Sequence, residues 1–182
     1  MVQQDKINYV VAIDPGPTKS ALVLLNLKRE IIFRAYDHND TARKSLSGWQ
    51  MPGTVMVIER MQSMGMAVGA SVFETCYNIG RFVEMWPLDS YLVSRGQVKM
   101  EICGSMRAKD PNIRQAMMDL YGGERRACIG TKKQPGKLYG IAGDLWSALA
   151  IGNAFINFMG RGEHYEYIYQ QANDACRVNP IN

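Results

Sequence analysis

INYVVAIDPGPTKSALVLLNLKREIIFRAYD (residues 7–37) contains three apolar runs separated by short polar breaks. The runs INYVVAID (7–14), SALVLLNL (20–27) and EIIFRAYD (30–37) are rich in Val, Ile, Leu and aromatic residues, and the breaks suit two successive hairpins. Asp14 stands at the end of the first run. Aspartate is poor in strands, and Pro15 and Pro17 lack the N–H that a ladder needs, so the strand stops there. Asp-Pro-Gly is ordinary turn chemistry, and on this stretch alone a turn residue is the simpler reading of Asp14.

Outward from this stretch, TARKSLSGWQ (41–50) predicts a short helix capped by Thr41, and TVMVIER (54–60) a compact buried strand after the turn at Pro52 and Gly53. In SVFETCYNIGRFVEMW (71–86), Val72, Phe73, Cys76, Ile79, Phe82, Val83 and Trp86 recur at helical spacing. SYLVS (90–94) is a fifth strand. PNIRQAMMDLYG (111–122) has Pro at its first turn and Gly at its end, and GDLWSALAIGNAFINF (143–158) is a last long helix. No internal repeat or low-complexity segment interrupts the order βββ-α-β-α-β-α-α. The pattern predicts an RNase H-like fold: a five-stranded mixed sheet, a three-strand meander plus parallel strands, flanked by helices. One domain over residues 1–182 is expected, with residues 161–182 as a C-terminal arm. The alternating tyrosines at 165, 167 and 169 suggest a strand or extended segment there.

Composition narrows the class. With 182 residues, 47% hydrophobic and 21% charged, the chain is globular and long enough for a real core. No apolar run reaches membrane-spanning length, and MVQQDKINYV is too polar for a signal peptide. Cys76, Cys103, Cys128 and Cys176 form no CxxC pair, and with only two histidines they suggest neither a zinc site nor a disulfide framework. A reduced cytoplasm, bacterial or phage-infected, is the expected setting. The net charge of +4 is a mild bias towards polyanions.

Two more carboxylates stand at element ends. Glu59 closes the strand after Val-Met-Val-Ile, where it can be a solvated terminus; Asp144 opens an apolar helix, where it can complement the helix dipole. In the predicted topology the first strand is central, the fourth lies beside it and the last helix crosses that end, so Asp14, Glu59 and Asp144 converge. Their mutual repulsion in a partly buried site calls for cations, and oxygen ligands without His or Cys select Mg²⁺, with Mn²⁺ as a substitute. Two ions per site suit phosphodiester hydrolysis, one activating water and one steadying the departing oxygen.

AIDPG (12–16), VIER (57–60), NIGRFVE (78–84), VKMEICGSMRAKD (98–110) and GDLWSALAIG (143–152) together resemble the RuvC-type Holliday junction resolvases, in the right order and over most of the chain. The match across residues 98–117, with Gly104, Ala108 and an amphipathic helix at family spacing, is the most specific part. The resemblance implies a homodimeric, Mg²⁺-dependent endonuclease of the RNase H fold that nicks four-way DNA junctions symmetrically. By position, Asp14 and Glu59 match the family's first two catalytic carboxylates, and Asp144 the first acidic position of its last motif. The second acidic position of that motif falls on Ser147, which leaves three carboxylates where the family has four. Ser147 either addresses the metals weakly or points to solvent or its own helix backbone. The short chain and Trp146 before SALA look like phage-encoded branches.

The same resemblance places a basic residue near the active site at Lys99, where it would neutralise the scissile phosphate. The family's second lysine position falls on Asp110, with Arg107 and Lys109 close enough to substitute. GGERRACIGTKKQPGK (122–137) carries Arg125, Arg126, Lys132, Lys133 and Lys137 and reads either as a solvated loop or as a phosphate contact. The family puts a base-wedging aromatic after the catalytic glutamate; here Met61, Gln62, Met64 and Met66 follow Glu59, as core filler or as flexible wedges at a junction crossover.

Three other readings compete. IDPGPTKSALVLL also resembles the first phosphate loop of the actin, sugar-kinase and chaperone superfamily, but that machinery needs a second lobe and a second Gly-rich loop. RNase H-like nucleases that process ribosomal RNA precursors keep the fold and change the substrate, and residues 98–117 argue against them. A non-catalytic binding module is favoured only if the three carboxylates fail to converge.

Overall fold

The computed structural model describes residues 7–62, 65, 67–161 and 169–170. β1 (Tyr9–Asp14), β2 (Lys19–Asn26) and β3 (Ile31–His38) form the antiparallel meander. α1 (Asn39–Leu46) and a 3₁₀ turn (Ser47–Trp49) lead into β4 (Thr54–Arg60), which pairs with β1 in parallel. After α2 (Ala70–Met85), β5 (Ser90–Ser94) adds in parallel to β4. α3 (Arg95–Cys103), α4 (Asp110–Leu120), the short α5 (Arg125–Cys128) and α6 (Leu145–Gly160) follow. A two-residue strand β6 (Tyr169–Gln170) pairs antiparallel with β5, so the sheet has six strands in the order β3-β2-β1-β4-β5-β6, one more than expected. The remainder of the expected C-terminal arm, 162–168 and 171–182, lies outside the described residues.

Strand alternation divides the core in two. Val10 and Ala12 of β1, Val55 and Val57 of β4, and Tyr91 and Val93 of β5 pack with α3, α4 and α6 on one face. Val11, Ile13, Met56 and Ile58 face α1 and α2 on the other. α6 is apolar nearly all round and buried along almost its whole length, as a helix in the middle of a core must be. It packs close: a Cβ on Gly152 would stand 2.7 Å from a Leu25 methyl and 3.1 Å from the Ala12 Cβ, so glycine there lets the helix settle onto β1 and β2.

Three sequence expectations shift. α1 starts at Asn39 rather than after Thr41, and its N-cap is His38. Residues 95–103 form a helix that the apolar pattern did not signal. Ile79 and Phe82 of α2, and Trp86 just past its end, are buried as expected, but Phe73 is 63% exposed and Cys76 is exposed. Thr75 and Asn78 turn inward instead. That end of α2 meets polar loop backbone rather than the sheet, so groups able to hydrogen-bond face inward: the Asn78 amide donates to the Pro17 carbonyl at 3.0 Å. Among the described residues no helix is long and apolar enough to cross a membrane.

Candidate active site

The register places two carboxylates side by side. β1 and β4 run in parallel with Ala12 beside Val57 and Ile13 beside Ile58, so the next positions are Asp14 and Glu59. Both fall on the α6 face, two residues beyond Ala12 and Val57. Across β2 the row continues through Ala21, which pairs with Asp14, to Tyr36, which pairs with Ala21. The small Ala21 leaves room between the tyrosine and the aspartate, and the start of α6 comes down over this row.

The loop after Asp14 is fixed from behind. Ser20 Oγ donates to Asn39 Oδ1 at 2.6 Å, the Asn39 amide donates to the Gly16 carbonyl at 3.0 Å, and the Gly16 N–H reaches Ser20 Oγ at 3.3 Å. A Cβ on Gly16 would lie 2.4 Å from the Lys19 carbonyl, so no other residue fits this tight return. The turn reading of Asp-Pro-Gly and a functional reading of Asp14 therefore hold together: the turn aims the aspartate.

Asp144 occupies the N-cap position of α6, yet its side chain makes no capping hydrogen bond. It is paired instead with Tyr36, whose phenol is pushed above its ordinary value first by the Asp144 charge and further by its hydrogen bond to that carboxylate. Asp14 is raised from 3.8 to about 7, chiefly by burial and then by the charges of Glu59 and Asp144; the Ser147 hydroxyl works the other way by hydrogen bonding to the ionised form. Burial likewise holds Glu59 above the ordinary carboxylate range, against the pull of Arg95 and, more weakly, Lys99. Arg95 Nη1 lies 3.6 Å from Glu59 Oε1, and Arg95 Nη2 lies 2.6 Å from Asp110 Oδ1. The three carboxylates thus feel one another through Asp14. Among the described residues they do not stand as a ready ligand set for a single ion, because Glu59 is engaged by Arg95 and Asp144 by Tyr36.

Asp144 and Ser147 also line an open cleft of about 400 Å³ with Asp110, Ile113, Arg114 and Trp146. In its wall the Arg114 guanidinium lies over the Trp146 ring, 5.1 Å from the centroid. A larger groove of about 850 Å³, lined by Arg43, Tyr77 and Arg81, lies between α1 and α2 and holds none of the three carboxylates.

Of the basic residues singled out in the sequence, Lys99 is partly buried on α3 and acts on Glu59. Arg107 and Lys109 are exposed between α3 and α4. Arg125 and Arg126 are exposed on α5, and Lys132 and Lys133 at the tip of a small hairpin closed by the Gly130–Pro135 bridge, with Lys137 exposed just beyond. Among the described residues none of these exposed cations forms an ion pair with a site carboxylate. Met61 and Gln62 are exposed directly past the end of β4; Met64 lies outside the described residues. Sequence reasoning missed Tyr36 and Arg95. The second had a signal: Ser94-x-x-Gln97 is a capping box that marks a helix start, with Arg95 as its first residue.

The fold is RNase H-like. Among solved structures the chain is similar to RuvC from Thermus thermophilus, with a TM-score of 0.62 at 15% identity over 89% of this chain and 99% of that one. It is also similar to T. thermophilus RuvC in complex with a Holliday junction substrate, with a TM-score of 0.58 at 15% identity over 85% of this chain and 96% of that one. No family model and no curated protein matches the chain.

Proposed function

We propose that this protein is a divalent-metal-dependent endodeoxyribonuclease that cuts four-way or related branched DNA by phosphodiester hydrolysis. The observation that carries the reading is Asp14, a carboxyl pushed to about 7 by burial and by two neighbouring carboxylates. A site that gathers negative charge at this cost to the ionised form fits a hard cation, and its oxygen donors fit Mg²⁺ or Mn²⁺. Asp14, Glu59 and Asp144 would hold the metal, at two ions per site. Bound there, the metal supplies an acidified water and charge neutralisation at the leaving oxygen.

The chain's own residues do the rest. Asp14 and Glu59 sit on rigid strand ends, so their carboxylates are positioned before substrate arrives. Tyr36 restrains Asp144, and Ser147 restrains Asp14. Lys99 brings positive charge to the glutamate side of the site, where a phosphate would lie. The exposed cations at Arg107, Lys109, Arg125, Arg126, Lys132, Lys133 and Lys137 would track the phosphate backbone. Met61 and Gln62, at the rim of the site, would meet the bases nearest the cut. The similarity to a protein solved on a Holliday junction supports branched DNA as the substrate class.

Paired incision of opposed strands needs two active sites, so the reading includes a homodimer. Phe73 and Tyr77, each 63% exposed on α2, are among the apolar side chains open to such a partner. Light scattering at assay concentration should give twice the 20.5 kDa chain mass. The deciding experiment is cleavage of synthetic four-way, forked and linear DNA side by side in Mg²⁺. A protein that leaves all three intact, or an Asp14→Asn variant that cuts as well as wild type, ends the proposal.

A further inference from the structure

Arg95 is the first residue of α3, and its backbone is fixed by a reciprocal cap: the Gln97 N–H donates to Ser94 Oγ at 3.2 Å and the Ser94 N–H donates to Gln97 Oε1 at 2.8 Å. From that base its guanidinium lies between two carboxylates of different character. One is Asp110, 76% exposed at the start of α4 and in tight contact at 2.6 Å; the other is the buried Glu59, reached by a longer ion pair of 3.6 Å. The Arg95 side chain is 39% exposed, at the rim of the site.

We propose that Arg95 is a phosphate-binding cation of this site, anchored by Asp110 and resting against Glu59 until a divalent ion displaces it. The inference rests on the nuclease reading above. Without metal, Glu59 is a buried carboxylate beside another, and an uncompensated charge there is costly. Arg95 supplies the compensation. Were Glu59 to hold a divalent ion, Arg95 would give up its longer contact of 3.6 Å to Glu59 before the contact of 2.6 Å to Asp110. Asp110 keeps hold of Nη2, so the group stays at the rim instead of leaving into solvent. Nη1 and Nε would then be open donors at the rim of the site, and a planar guanidinium would present them to phosphate oxygens as a fork. The same group thus stands in for the metal in its absence and meets the substrate in its presence.

This predicts opposite effects on metal and on DNA. Arg95→Gln should lower the Mg²⁺ concentration that half-saturates thermal stabilisation of the DNA-free protein, by about threefold, because a competitor for Glu59 is gone. The same variant should bind four-way junction DNA several-fold more weakly in Ca²⁺, with a salt slope flatter by about one. Its cleavage rate should fall about a hundredfold, the usual scale for loss of one preorganised donor to developing charge. Adding Asp110→Lys to Arg95→Gln should recover at least about tenfold of that rate, since a lysine there reaches the place Arg95 occupied. A residue that only supports the fold would weaken metal and DNA binding together. Unchanged or weaker Mg²⁺ half-saturation in Arg95→Gln, or junction affinity equal to wild type, overturns the proposal. Both readouts need no cleavage, so a wild-type protein that failed to cut would overturn the nuclease reading alone.

Discussion

The Ser147 hydroxyl hydrogen-bonds to the carboxylate of Asp14, joining the first turn of α6 to the end of β1. Position 147 therefore stands beside the carboxylate cluster, half-buried at the head of α6. A neutral hydroxyl is a weak ligand for a hard divalent ion, so one metal position should bind loosely and Mn²⁺ should serve better than Mg²⁺. Ser147→Asp is expected to lower the half-saturating Mg²⁺ concentration for cleavage, while metal-free protein loses about 1–2 kcal/mol of stability as another charge joins the cluster. Mg²⁺ titrations of wild type and variant that superimpose would show that this hydroxyl has no part in metal binding.

Asp14 also makes a pH prediction. Its carboxyl is raised from 3.8 to about 7 in the folded chain, so between those values the folded protein holds a proton that the unfolded chain releases. The stability tied to this group is complete below about pH 4 and is lost as pH rises through about 7. Asp14→Asn removes the dependence and should stabilise metal-free protein at about pH 8 by roughly 2–4 kcal/mol. Cleavage should be abolished at the same time, with junction binding kept or tightened because a negative charge near phosphates is gone. Melting curves in EDTA that stay parallel across pH for wild type and variant would contradict this.

Asp14 and Glu59 were legible because each ends a Val- and Ile-rich run with a charge that a buried strand does not otherwise tolerate, and neighbouring parallel strands bring such ends together. Asp144 was legible for a related reason, as the one acid at the head of an apolar helix. Tyr36 was not. Nothing in EIIFRAYD distinguishes it from an edge-strand tyrosine, and its part comes from cross-strand register through Ala21, which a local pattern does not carry. α3 escaped because Val98 is its only buried residue, so it has no apolar stripe to read. β6 is two residues long and falls where the alternating tyrosines suggested a strand, but nothing in that short run said that it would join the sheet beside β5.

The basic segment after α4 carries its own test. Replacing Arg125, Arg126, Lys132 and Lys133 with Ala should weaken binding to four-way, forked and linear DNA alike, because exposed cations without base contacts read only phosphate. The salt dependence should flatten by up to about three to four in slope, set by the number of counterions no longer released. Affinity at low salt equal to wild type would make this hairpin a solvated surface.

The Arg29–Asn153 pair tests how the meander is locked onto α6. Asn153 is fully buried in an otherwise apolar helix, where an amide without partners would be costly. Its amide donates to Tyr121 Oη at 3.1 Å and to the Leu149 carbonyl at 2.9 Å, and its Oδ1 accepts from Arg29 at 2.9 Å. Arg29 also donates to Asn157 Oδ1 at 2.6 Å, and it holds a left-handed backbone at φ 65° in the β2–β3 turn. Three elements meet at one amide: the β2–β3 turn, the residue that follows α4, and α6 itself. Asn153→Leu should cost about 2–4 kcal/mol, since it strips partners from a half-buried guanidinium and a buried phenol at once. Arg29→Ala should cost less, about 1–2 kcal/mol, because Asn153 keeps two of its bonds and the strained turn gains nothing unfavourable. The double variant should be less destabilised than the sum by about 1 kcal/mol, the signature of residues that share a network. Denaturant melts of the four proteins measure this directly, and strict additivity would show that the turn and the helix are held by packing alone.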